Sequence, residues 1–138
     1  MALLDLSKQR DVHIEERLRK DTTIYLNTVR PNGKPSAVTV WFLWDGASFL
    51  IFSRVENQKV RNIQHNSNVL LAIDNTHDGS DPISIEGTAE LLAPGTVDTS
   101  LPAYVEKYGA GMKEIGLTPA QMAQGYSQAI RITPTRVL

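Results

Sequence analysis

Two polar clusters lie close together near the middle of the sequence. Phe52-Ser53-Arg54 closes an apolar run, and Gln58-Lys59-Val60-Arg61-Asn62 opens the segment that follows. A strand end feeding a helix start gathers unpaired backbone N–H groups, a hydroxyl and two or three cations, which is the chemistry that holds a phosphate. Lys59 falls in the first helical turn, where its ammonium reaches an anion held by those amides. Ser53 offers a neutral donor and Arg54 a bidentate fork. The same residues also suit an ordinary solvated helix with Lys59 and Arg61 facing water, and the local sequence leaves both readings open.

Other chemistries find less support. There is no GxSxG nucleophile elbow, HExxH zinc motif or EF-hand loop. Cysteine is absent, which removes disulfides, thiolate metal sites and a cysteine nucleophile. His13, His65 and His77 stand in separate segments, so no metal site is expected. Residues 111–118 (GMKEIGLT) imitate a P-loop, but leucine stands where the phosphate-binding lysine belongs and a helical stretch precedes them. His77 and Asp78 are neighbours whose side chains point apart, beside Gly79 in a loop. Tyr25, Tyr104, Tyr108 and Tyr126 are all candidate proton donors, and no catalytic residue is assigned.

The elements that must position these groups follow from periodicity. Residues 11–20 predict a helix, with Val12, Ile14 and Leu18 as a partial stripe and basic residues in the last turn. Residues 22–30 alternate as a strand, and Pro31, Asn32 and Gly33 make a turn. Residues 35–44 predict a return strand buried on both faces, Asp45-Gly46 a second turn, and residues 47–54 a third strand. The expectation is a three-stranded antiparallel meander. Residues 57–66 predict a short helix, and residues 68–74 and 83–92 two more strands, the second bent or bulged at Gly87. A helix over 96–108, delayed by Pro102, a second helix opening at Thr118-Pro119, and a last strand over 129–133 ended by Pro134 complete the pattern. About six mostly antiparallel strands suggest a closed small barrel, and apolarity beyond one core suggests an outer face covered by a second copy of the chain.

Length and charge fit this picture. The 138 residues point to one compact domain, and 41% hydrophobic with 21% charged residues is an ordinary globular balance. Fourteen basic and 15 acidic residues give a net charge of −1, so nucleic acid is not an expected partner. No apolar run reaches the roughly 20 residues of a membrane span. Residues 1–10 carry no signal-peptide pattern, and a cytoplasmic location is expected.

In order and spacing, the segments Thr28-Val-Arg-Pro-Asn-Gly-Lys-Pro35, Val40-Trp-Phe-Leu-Trp-Asp-Gly46, Phe52-Ser-Arg54 and Gln58-Lys-Val-Arg-Asn-Ile63 resemble the pyridoxamine 5′-phosphate oxidase-like split β-barrel superfamily. They are most similar to its flavin/deazaflavin oxidoreductases, the coenzyme F420-dependent class. Pro102-Ala-Tyr-Val-Glu-Lys-Tyr108, Gly116-Leu-Thr-Pro119 and Ile130-Arg-Ile-Thr-Pro-Thr-Arg136 extend the likeness over nearly the whole chain. The resemblance implies a mainly β (α+β) fold, an antiparallel six-stranded split β-barrel with small peripheral helices. It also implies a homodimer with cofactor sites at the interface. The cofactor phosphate would lie against Ser53, Arg54 and Lys59, and the ring along Val38, Thr39, Val40 and Trp41, with Gln58 and Asn62 as further phosphate or ribityl contacts. Trp41 and Trp44 belong either to the pocket or to the core and interface.

The implied activity is hydride transfer from reduced deazaflavin (coenzyme F420), or from FMN, to a small conjugated organic substrate. A non-catalytic flavin-, deazaflavin- or haem-binding protein is the alternative, and a dimeric scaffold with an empty groove is the third reading. Vitamin B6 oxidases of the superfamily carry a C-terminal arginine and histidine for the vitamin phosphate. This sequence has no histidine after His77, which points away from that substrate. An F420 tail would call for further cations at the pocket mouth, for which Lys34, Arg54, Lys59 and Arg61 are candidates. Loops 75–81 and 109–117 would set specificity, without a readable signature of their own.

Overall fold

The computed structural model describes residues 3–74 and 76–138. The elements run α1 (Gln9–Lys20), β1 (Ile24–Val29), β2 (Pro35–Val40), β3 (Leu43–Trp44), β4 (Phe49–Ser53), α2 (Gln58–His65), β5 (Asn68–Ile73), β6 (Ile83–Leu91), α3 (Pro102–Glu114), α4 (Pro119–Gly125) and β7 (Gln128–Val137). Every strand pairing is antiparallel, in the order β2-β1-β5-β6-β7-β4-β3. The two edge strands, β2 and β3, are consecutive in sequence and separated only by Trp41 and Phe42. A residue spans at most about 3.6 Å, so this short link forces the sheet to curl until its edges meet, as in a split barrel.

Seven strands therefore replace the expected six, and the meander is corrected. Residues 35–44 are not one strand but two, β2 against β1 and β3 against β4. The break has its cause 66 residues along the chain: the Phe42 N–H donates to the Tyr108 hydroxyl at 2.8 Å, so it leaves the ladder. Burial on both faces is also corrected, because within β2 only Val40 is buried.

Gly87 marks a bulge as its position suggested. The register between β6 and β7 shifts at Glu86/Gly87, and Gly87 faces Pro134. An added Cβ at Gly87 would meet Ile132 Cγ2 at 2.8 Å and the Thr133 carbonyl oxygen at 2.9 Å. Pro134 was expected to end the last strand, yet β7 runs through it to Val137. At an irregular step of the ladder the missing proline N–H costs little.

The barrel interior is filled by Leu18, Leu26, Phe42, Phe49, Ile51, Leu71, Ile85, Ile130 and Ile132, all at most 1% exposed. A second cluster, Phe52, Tyr104, Tyr108, Met112, Met122 and Ala129, packs α3 and α4 onto the sheet. Helix α3 starts at Pro102 as anticipated but continues six residues past Tyr108. Its glycines are kept by packing: a Cβ on Gly111 would lie 3.2 Å from Trp41 Cη2. The helix ends with Gly116 at φ +78°, its N–H bonded to the Lys113 carbonyl and the Leu117 N–H to the Met112 carbonyl. That is a glycine helix stop, which accounts for the P-loop look-alike. Helix α4 is opened by a capping box between Thr118 and Gln121. Of the two loops expected to set specificity, Asn75 in 75–81 lies outside the described residues, and 109–114 is helix.

Candidate functional site: a cationic cavity at the barrel seam

A cavity of about 310 Å³ opens where the end of β2 meets the turn between β4 and α2. Its wall includes Thr39, Val40 and Trp41 from β2 and the residue after it, Arg54, Asn57 and Lys59 from the β4–α2 turn and first helical turn, and Met122 and Tyr126 at α4. Thr23, Phe52 and Ile115 complete it. Helix α2 is held from behind by a polar relay. The Asn62 side-chain amide donates to Thr28 Oγ1 at 2.9 Å, Gln58 Nε2 donates to Asn62 Oδ1 at 2.8 Å, and Arg61 donates to Gln58 Oε1 at 2.7 Å. Asn62 is fully buried, so these bonds fix the helix on the barrel and with it the start that carries Lys59.

The electrostatics at that start are one-sided. Among the described residues neither the Arg54 nor the Lys59 side chain has a hydrogen-bond or ion-pair partner in the chain, and the cavity wall holds no carboxylate. The Arg54 guanidinium lies 4.9 Å from the centre of the Tyr126 ring, a cation–π contact that leaves its N–H groups available. Burial holds the Lys59 ammonium below the ordinary lysine range, as for a charge lacking compensation. Asn57 is the N-cap residue, but its side chain makes no capping bond. A desolvated lysine, an arginine and an uncapped helix N-terminus suit an anionic oxygen group, so the residues present fit a phosphate-bearing cofactor.

The expected residues divide into three sets. Thr39, Val40, Trp41, Arg54 and Lys59 line the cavity, with Asn57, Phe52, Met122 and Tyr126, which the sequence did not single out as cofactor contacts. Ser53 and Asn62 are buried outside the wall, and Gln58 is exposed on α2 and bonded to Asn62; the Ser53 hydroxyl donates to the Arg54 carbonyl at 2.9 Å. Val38 lies on β2 outside the wall and is 38% exposed. Of the candidate tail cations, Lys34 sits in the β1–β2 turn and Arg61 is engaged with Gln58 and the Glu56 carbonyl. Asn57 was within reach of sequence reasoning, since asparagine before a helical run is a cap signal. Met122 and Tyr126 arrive by tertiary packing alone.

The aromatic groups have distinct placements. Trp41 stacks on Tyr108, centroids 4.7 Å apart and planes 8° from parallel, and also lines the cavity. Trp44 is core, its indole N–H donating to Glu15 at 2.7 Å. Tyr104 and Tyr108 are buried and their phenols are pushed well above the ordinary range, first by desolvation. Of the four tyrosines, Tyr126 lines this cavity. His13 pairs with Asp81, and the described residues include no cluster of three or more metal-ligating side chains.

The comparisons agree with this architecture. No curated protein matches the sequence. The structure of an F420 reductase is 25% identical, with a TM-score of 0.69 over 90% of this chain and 94% of its own. The haem storage protein HutZ of Vibrio cholerae is 14% identical, with a TM-score of 0.66 over 100% and 94% of the two chains. A conserved hypothetical protein of Mycobacterium tuberculosis is 20% identical, with a TM-score of 0.72 over 92% and 81%. The last two likenesses show the fold alone. No helix among the described residues is long and apolar enough to cross a membrane. The family model described as pyridoxamine 5′-phosphate oxidase matches residues 11–138, and the chain belongs to that family.

Proposed function

We propose that this protein is an oxidoreductase that binds a phosphate-bearing tricyclic cofactor, coenzyme F420 or, failing that, FMN, in the cavity at the barrel seam. The observation that carries the reading is the pair Arg54 and Lys59, two cations without carboxylate partners on one wall beside an uncapped helix start. The likeness to an F420 reductase supports the deazaflavin over the flavin. When bound, the reduced cofactor supplies a hydride for a conjugated organic acceptor.

The chain's own contribution is to bind and orient. Lys59 and Arg54 hold the phosphate, the α2 amides complete its shell, and Ser53, Gln58 and Asn62 keep that turn rigid. The backbone of Thr39 and Val40 faces the polar edge of the ring, and Trp41, braced by Tyr108, keeps water from one side. At about 310 Å³ the cavity is at the lower limit of small-molecule sites, roughly 300–1,000 Å³. A second copy of the chain would enlarge and roof it. The exposed edge strand β2, with Val38 open to solvent, is consistent with such a homodimer. The haem-binding alternative gains nothing here, because none of the three histidines lines the cavity.

The test is titration of the purified protein with F420 and with FMN, followed by fluorescence, beside Lys59→Ala and Arg54→Ala variants. Loss of a charge-assisted contact of about 1.4 kcal/mol or more weakens binding tenfold or more. Preference for FMN reassigns the cofactor, and binding of neither overturns the reading. Light scattering of the same samples reports the dimer.

A further inference from the structure

Two reactants in a hydride transfer must meet at about 3–3.5 Å, so the acceptor's pocket has to adjoin the cofactor's. Among the described cavities one does so. It measures about 440 Å³ and adjoins the cationic cavity through Thr23 and Thr39, both of which line the two. Thr39 faces Tyr25 across the β1–β2 pair, and Tyr25 is 50% exposed at this second cavity. Lys20, His77, Asp21 and Asp74 supply its charged and titratable groups.

Those groups are not equivalent. Asp21 is tied to Arg17 at 2.8 Å. Asp74 accepts from the Thr76 N–H at 3.1 Å and the Thr76 hydroxyl at 2.6 Å, and these bonds hold its carboxyl below the usual range. The Lys20 and His77 side chains make no ion pair or hydrogen bond among the described residues. His77 is also the one non-glycine residue among them with positive φ, +62°. The unspent groups are therefore two nitrogen donors and one flat aromatic face.

We propose that this second cavity is the acceptor site, taking a planar conjugated carbonyl or carboxylate compound whose ring lies on Tyr25 and whose oxygen is held by Lys20 and His77. The inference rests on the oxidoreductase reading above. Thr23 and Thr39 edge both cavities, so cofactor and acceptor bind side by side and meet along that edge.

Equilibrium dialysis with trans-cinnamate as the probe tests this, with and without saturating F420 or FMN. The expected result is cinnamate binding that persists with cofactor present. It should weaken about tenfold in Lys20→Ala and about threefold in Tyr25→Ala, while both variants keep wild-type cofactor affinity as proof of folding. If the cofactor binds and cinnamate does not, or the two compete, or the variants leave cinnamate unaffected, the acceptor site is overturned and the cofactor reading stands. If cinnamate binds through Lys20 but neither cofactor binds, the oxidoreductase reading falls, and with it the assignment of the cavity to an acceptor.

Discussion

The Tyr108 hydroxyl ties together three chain segments, and removing it offers the sharpest test of how the seam is built. It accepts the Phe42 N–H at 2.8 Å and has one proton to give, within reach of the Thr22 carbonyl at 2.6 Å and the Phe42 carbonyl at 2.7 Å. Tyr108→Phe keeps the ring and its stack on Trp41 and deletes only these bonds. Orphaning a buried N–H costs about 1–3 kcal/mol, and the lost donated bond adds about 0.5–1.5, so a loss of roughly 1.5–4.5 kcal/mol is expected. Urea unfolding followed by tryptophan fluorescence measures it, at one fixed protein concentration because subunit association would shift the midpoint. Tyr108→Leu removes the stack as well and should lose at least about 0.5 kcal/mol more. A Tyr108→Phe protein within about 0.5 kcal/mol of wild type, the range of an indifferent surface change, would refute the view that this hydroxyl sets the strand break.

Three further outcomes follow from the same geometry. Gly87→Ala forces a Cβ to within 2.8 Å of Ile132 and 2.9 Å of the Thr133 backbone oxygen, so it should destabilise by about 1–3 kcal/mol in the same unfolding assay. Asn62→Ala strips Thr28 and Gln58 of a partner and should cost about 1–3 kcal/mol in stability while changing cofactor affinity less than Lys59→Ala does. Burial pushes the Lys107 ammonium down to about 8, against the opposing pull of Asp21, so its folded form favours the neutral amine. Folding stability from this group therefore rises with pH between about 8 and the ordinary lysine value near 10.4. Acylation of Lys107, mapped by peptide mass, should show a midpoint near pH 8, and a midpoint near that of an ordinary lysine would contradict the burial seen here.

The hairpin turns were legible because their chemistry is local: Gly33 at φ +87° and Gly46 at φ +94° stand where glycine alone is unstrained. The strand break at Trp41 and Phe42 was not, because the group that captures the Phe42 N–H lies 66 residues onward. The extension of α3 through Gly109 and Gly111 was hidden for a similar reason. Local propensity argues against glycine in a helix, and only the indole of Trp41 explains the missing side chain at 111. In the site, Arg54 and Lys59 were readable from charge at a helix start. Asn62 carries the same polar signature on the same helix, and only burial separates a brace from a side chain that lines the cavity.

The position of β7 governs the order in which the molecule can assemble. It lies between β6 and β4, so before it docks the paired strands form two separate pieces, β2-β1-β5-β6 and β4-β3. The cationic cavity draws one wall from each piece. On the ribosome, the nascent chain must therefore wait for β7, which follows the sheet's other strands, before the cavity exists, and the open edges of β6 and β4 stay available to other chains meanwhile. A lesion in β7 far from any ligand would act first on yield and aggregation during synthesis, and a chain that binds cofactor has already closed its barrel.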